Sequence, residues 1–176
     1  MKLMSIAFVL FAASVAFAQT NSGAANRSVG ASGPDHTFVM KAAHGGLAEV
    51  EMGRLAQERG SSAKVKDFGK RMVDDHTRLN NDLEKVAKDK GITLPTAPDA
   101  KETAAKDRLS KLSGAAFDRA YMADMVRDHK EDVAEFQKEA DHGGDADIKA
   151  LASKALPTLQ EHLKMAEETS KEVGSR

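Results

Sequence analysis

Between residues 63 and 90 the apolar positions step by three or four with almost no interruption. Val65, Phe68, Met72, Leu79, Leu83 and Val86 share one face, and His76 takes the slot in its middle. That spacing predicts an amphipathic helix ended by Gly91. Two later segments repeat the pattern. Residues 104–141 carry the stripe Met122, Met125, His129, Val133, Phe136 and Ala140, with a bend expected at Ser113-Gly114. After the breaker Gly143-Gly144, Asp145 is placed to cap a last helix with the stripe Ile148, Leu151, Ala155, Leu159, His162 and Ala166, bent by Pro157 one turn before the histidine. Ahead of them all, Phe38 to Arg59 reads as a helix with Met40, Ala43, Leu47, Val50 and Leu55 inward, stopped by Gly60 and followed by Ser61 or Ser62 as the next cap.

Four amphipathic helices, two short turns and one long connection predict an all-α fold, an antiparallel four-helix bundle. The connection, around residues 91–103, contains Pro95 and Pro98 and lies between the second and third helices. It is long enough to cross one end of the bundle or to run its whole length, so the relative direction of those two helices stays open.

The N-terminus departs from this pattern. Lys2 precedes an apolar run from Leu3 to Phe17, and Ala16-Phe17-Ala18 has the form of a cleavage site, so residues 1–18 are expected to be a signal peptide. The run is short for a bilayer, which needs about 20 residues, and no stable membrane span is expected after cleavage. Residues 19–35, rich in Gly, Ser, Ala and Asn, read as a flexible linker to a bundle domain over 36–172. The protein is thus expected to be exported, in the periplasm or elsewhere in the cell envelope. With no cysteine, the bundle must hold by packing alone. Its 26 basic and 27 acidic residues are interspersed, so no field builds up that would gather nucleic acid.

Against this background the histidines stand out. The strings RMVDDHTRL (71–79) and DMVRDHKED (124–132) both contain Met-Val-x-Asp-His, and His76, His129 and His162 each occupy an apolar stripe. Burying an imidazole without partners costs about 1 to 3 kcal/mol, so three inward histidines suggest a shared purpose. Each follows an acid, Asp75, Asp128 or Glu161, that projects about 100° around the helix and could support the ring from the side. Met72 and Met125 lie one turn before the first two histidines. The first helix offers Glu49 and Glu51 within GGLAEVEMG, where Gly45, Gly46 and Gly53 would let a neighbour approach closely. The candidate ligands are therefore His76, His129, His162, Glu49 and Glu51, for a transition metal such as copper, zinc or iron; imidazole suits zinc and copper, and thioethers would favour Cu(I).

FVMKAAHGGLAEVEMGRLAQERGSSAKVKDFGKRMVDDH, with LSGAAFDRAYMADMVRDH and LPTLQEHLKMA, closely resembles the bacterial domain of unknown function family 4142, over about residues 36–170. The resemblance implies an exported protein with a ferritin-like four-helix fold, and it implies no activity. It also sharpens one exclusion. Di-iron proteins of the ferritin-like kind use Glu-x-x-His on two helices, whereas the residues three before the three histidines are Val73, Val126 and Leu159. A standard di-iron oxidase is not expected. The main expectation is a non-catalytic binding or stress-protection module that contacts another envelope protein or its own copies. The alternative is a transition-metal-binding protein. Enzyme activity would further require an open coordination position, which a sequence does not display.

Overall fold

The computed structural model describes residues 33–174; the expected signal peptide and the linker up to residue 32 lie outside the described residues. The described residues form five helices, α1 (Pro34–Arg59), α2 (Ala63–Asp89), α3 (Ala100–Ser110), α4 (Gly114–His142) and α5 (Ala146–Gly174), and no strand. The first helix starts at Pro34, inside the stretch expected to be linker. Proline suits a first helical position because the amide it lacks would have had no helical partner there.

The expected bend at Ser113-Gly114 is a full break, so the third predicted helix is two. Lys111 closes α3, and Gly114 opens α4 at φ 60°, a left-handed conformation that glycine adopts without steric cost. Asp99 starts α3 by accepting the Glu102 amide at 2.9 Å. Asp145 caps α5 as expected, accepting from the amides of Asp147 and Ile148 at 3.0 and 3.2 Å. Neither Ser61 nor Ser62 caps α2 with its side chain. Their amides instead donate to the carboxylate of Asp118, near the start of α4, at 3.0 and 2.9 Å.

Those bonds fix the topology. The turn between α1 and α2 lies beside the start of α4. At the opposite end, Asp35 accepts the amides of Gly144 and Asp145, and Lys90 pairs with Asp145 and Asp147 at 2.8 and 2.6 Å. The helices α2 and α4 therefore run in the same direction, with α1 and α5 opposed to both. The chain between α2 and α4 must return along the length of the bundle, and it carries α3 against α1 and α4. Around the square the order is α1, α2, α5, α4, every adjacent pair antiparallel, with α2 and α4 on one diagonal.

The core has two apolar halves. One, towards the α1–α2 turn, gathers Met52, Val65, Phe68, Met72, Phe117, Tyr121 and Met125; the other holds Phe38, Val39, Leu83, Ile148 and Leu151. The phase of α5 matches its sequence stripe, since Ile148, Leu151, Ala155, Leu159, His162 and Ala166 are all buried. That of α1 does not. Its buried side is Val39, Ala43, Gly46, Glu49, Met52, Gly53 and Ala56, while Met40, Leu47, Val50 and Leu55 are only half-buried.

The reason is close packing. A Cβ on Gly53 would lie 2.6 Å from the carbonyl oxygen of Gly69, so α1 and α2 touch backbone to backbone, and the small residues face inward. Leu47 and Val50 turn instead to the groove that the long connection lines with Ile92, Leu94 and Pro95. Gly46 also faces a neighbour, Asn80, whereas a Cβ on Gly45 would meet nothing within 4 Å.

Candidate functional site

His76, His129 and His162 sit between the apolar halves, at mid-height. In α2 the ring follows Met72 of one half and precedes Leu83 of the other, and α5 and α4 repeat the arrangement. His76 and His129 reach the same depth because each lies about halfway along its helix, and His162 does the same on α5, which runs the opposite way. The ring centroids are 5.9 Å apart for His76–His129 and 5.3 Å for each of the other two pairs. All three rings are buried, His129 and His162 completely. One ring nitrogen from each lies within 4.8 Å of those of the other two.

The hydrogen bonds decide which nitrogens remain. His129 Nδ1 lies 3.0 Å from the carbonyl oxygen of Met125 one turn earlier. A carbonyl can only accept, so Nδ1 carries the proton and Nε2 the lone pair. His162 Nε2 lies 2.8 Å from Asp75 Oδ2 and donates to it, leaving the lone pair on Nδ1. His129 Nε2, His162 Nδ1 and His76 Nε2 are all buried without a partner.

Electrostatics keep the rings neutral. Burial, reinforced by the other two imidazoles, pushes His76 well below the usual histidine range. Burial and then His162 bring His129 to about 4, and burial with the nearby Arg71 brings His162 to about 4. Asp75 does not reverse this, because Arg71 and Arg78 both hold its carboxylate. Arg71 also reaches Glu161 at 3.2 Å.

Of the acids expected beside the rings, Asp75 does support a histidine, but that of α5 rather than its own neighbour. Asp128 pairs with Arg127 at 3.2 Å, and Glu161, exposed, pairs with Arg71. Met72 is buried in the apolar core; Met125 is too, and it contributes its backbone carbonyl. Glu51 forms an ion pair with Lys106 at 2.6 Å and lies outside the histidine group. Glu49 is deeply buried, yet it too is outside that group and lines a separate cavity. Arg71 and Arg78 were not anticipated, although their spacing from Asp75, i−4 and i+3, is that of helical ion pairs.

The molecule is thus an all-α antiparallel four-helix bundle with a long crossover and a three-histidine cluster at its centre. The chain belongs to the DUF4142 family, a domain of unknown function, whose profile matches residues 20–169. Its fold is similar to that of a DUF305 fragment from Deinococcus radiodurans, with 17% identity, a TM-score of 0.70, and coverage of 84% of this chain and 99% of the other. A DUF305 protein from Streptomyces coelicolor is similar as well, with 14% identity, a TM-score of 0.67 and coverage of 85% and 96%. At such identities the likeness extends to the fold alone. Among curated proteins, nothing matches the sequence.

Proposed function

We propose that this protein binds a transition-metal ion through His76, His129 and His162, and that it works outside the cytoplasm as a metal-binding or stress-protection module. The observation that carries the reading is the set of three buried ring nitrogens without partners, on rings whose centroids are within 5.9 Å of each other. Left alone, each would cost about 1 to 3 kcal/mol. A single cation offsets all three. Zinc–nitrogen bonds of about 2.0 to 2.1 Å would need the nitrogens about 3.3 Å apart in a tetrahedral shell, so nitrogens now within 4.8 Å of one another need to close by at most about 1.5 Å.

Two of the rings already have the support that metal-bound histidines use, a carboxylate for His162 and a backbone carbonyl for His129. An all-imidazole set favours zinc or copper over the carboxylate-rich sites that hold iron in ferritin-like proteins. A purely structural role for the histidines accounts for the bonds to Asp75 and Met125 but leaves the other three nitrogens unexplained.

The test is metal analysis of protein purified without a histidine tag, followed by calorimetric titration of the metal-free chain with Zn²⁺ and Cu²⁺. Near-stoichiometric binding is expected, and a His76→Ala, His129→Ala double variant should lose it. Equal binding by both proteins would overturn the assignment. For the export part, mass spectrometry of the mature N-terminus should find it near Gln19.

A further inference from the structure

Glu49 is another buried group with an unpartnered polar atom. It lies in α1, 3% exposed, and its Oε2 has no partner. It lines a cavity of about 220 Å³ between α1, α3 and α4, together with Glu102, Asp128 and Asp132. Lysines and an arginine hold most of the acids around the cavity. Lys41 pairs with Glu135, Lys101 lies 3.7 Å from Glu102 and 3.5 Å from Glu131, and Arg127 holds Asp128. Glu49 and Asp132 have no ion pair among the described residues.

The cavity leads inward. Gly45 and Asp132 line both it and a smaller chamber of about 40 Å³, whose wall includes His76. At Gly45 an added Cβ would meet only open space. The outer cavity is the larger of the two, with room for an ion and much of its first shell of water, and the inner chamber is the narrower. An ion moving inward passes Asp132, which lines both spaces.

We infer that the acidic cavity is a vestibule that captures a hydrated divalent cation between Glu49 and Asp132, with Glu102 and Asp128 at its rim, and hands it to the three-histidine centre. The capture step stands by itself, while the handover rests on the proposed metal binding by the histidines. The side chains frame the space without converging on a point, which suits an ion held partly through its water. Electrostatics agree with this picture. Burial and the surrounding acids raise Glu49 well above the usual carboxylate range and bring Asp132 to about 7, so a cation would relieve both.

Two probes on the full metal-free chain separate the steps. Mn²⁺ binding, followed by electron paramagnetic resonance, reports capture, and Co²⁺ absorbance in stopped flow reports arrival at the histidines. A Glu102→Gln, Asp132→Asn double variant should lose Mn²⁺ binding. It should also take up Co²⁺ at least about tenfold more slowly at low ionic strength, with the final affinity changed less than about threefold. Its unfolding midpoint should not fall, since the change removes repulsion. Plugging the doorway with Gly45→Leu should slow Co²⁺ and leave Mn²⁺ capture intact. Mn²⁺ bound equally by wild type and double variant, or by neither, overturns the vestibule. Mn²⁺ capture lost in the variant, in a chain that never binds Co²⁺ at the histidines, supports the vestibule and overturns the handover along with the histidine reading.

Discussion

The two copies of Met-Val-x-Asp-His adopt the same helix and face the same core, yet their acids do different things. In the first copy Asp75 is 2% exposed, accepts a bond from His162 across the α2–α5 contact, and is held by two arginines. In the second, Asp128 is only half-buried, pairs with the adjacent Arg127, and points towards the acidic cavity by α3. The histidines differ too, since His129 donates its Nδ1 proton to the Met125 carbonyl of its own helix whereas His76 makes no such bond. A local repeat thus sets helical phase, but the neighbouring helix sets chemistry. Beside Asp75 stands α5 with a histidine at matching depth; beside Asp128 stand α3 and α1 with more acids.

Substitution of the two acids should break this pairing most sharply. Asp75→Ala leaves His162 Nε2 and two guanidiniums without their common acceptor, and removal of one member of a buried charged set costs about 3 to 5 kcal/mol. Chemical unfolding of the metal-free protein should show that loss, and a value as small as that for Asp128→Ala would mean that the copies are equivalent after all.

Acid titration gives the next effect. His129 and His162 sit near 4 in the folded protein and near 6.5 when unfolded. Their folded pKa values are depressed, so their contribution to stability is complete above about pH 6.5 and is lost as the pH falls towards 4, where the unfolded chain binds the extra protons. Unfolding midpoints of the metal-free chain across that window should decline. Arg71→Met should flatten the decline by leaving Asp75 freer to stabilise a protonated His162, because Arg71 is one of the groups that depress it. An unchanged slope in the variant would remove the clamp on Asp75 from the explanation.

The methionines should behave alike, in contrast to the acids. Met72→Leu and Met125→Leu conserve volume in one buried cluster and should each cost less than about 1.5 kcal/mol, with Zn²⁺ affinity retained. A large loss of affinity in either would point to a thioether ligand. The smallest change belongs to Asp128→Ala, a half-exposed ion pair worth at most about 1 kcal/mol, and thermal melting should register little.

Most of the scaffold was legible because helical periodicity is a local property. The stripes of α2 and α5, the Asp145 cap and the inward direction of all three histidines follow from spacing within single segments. The phase of α1 was not legible, since Gly53 and Gly69 let the helices touch at the backbone and so favour small residues inward, against the usual preference for burying the largest. The break before Gly114 depended on a backbone conformation that a bend and a full stop share in sequence.

What sequence alone determined is therefore the set of helices and the histidines' commitment to the core, both consequences of a 3.6-residue repeat. What only the tertiary structure decided is that α2 and α4 run parallel on one diagonal of the bundle, and that Asp75 serves a ring on α5 while Glu49 faces a cavity. Direction and partnership arise between helices far apart along the chain, and the spacing within any one helix carries no information about them.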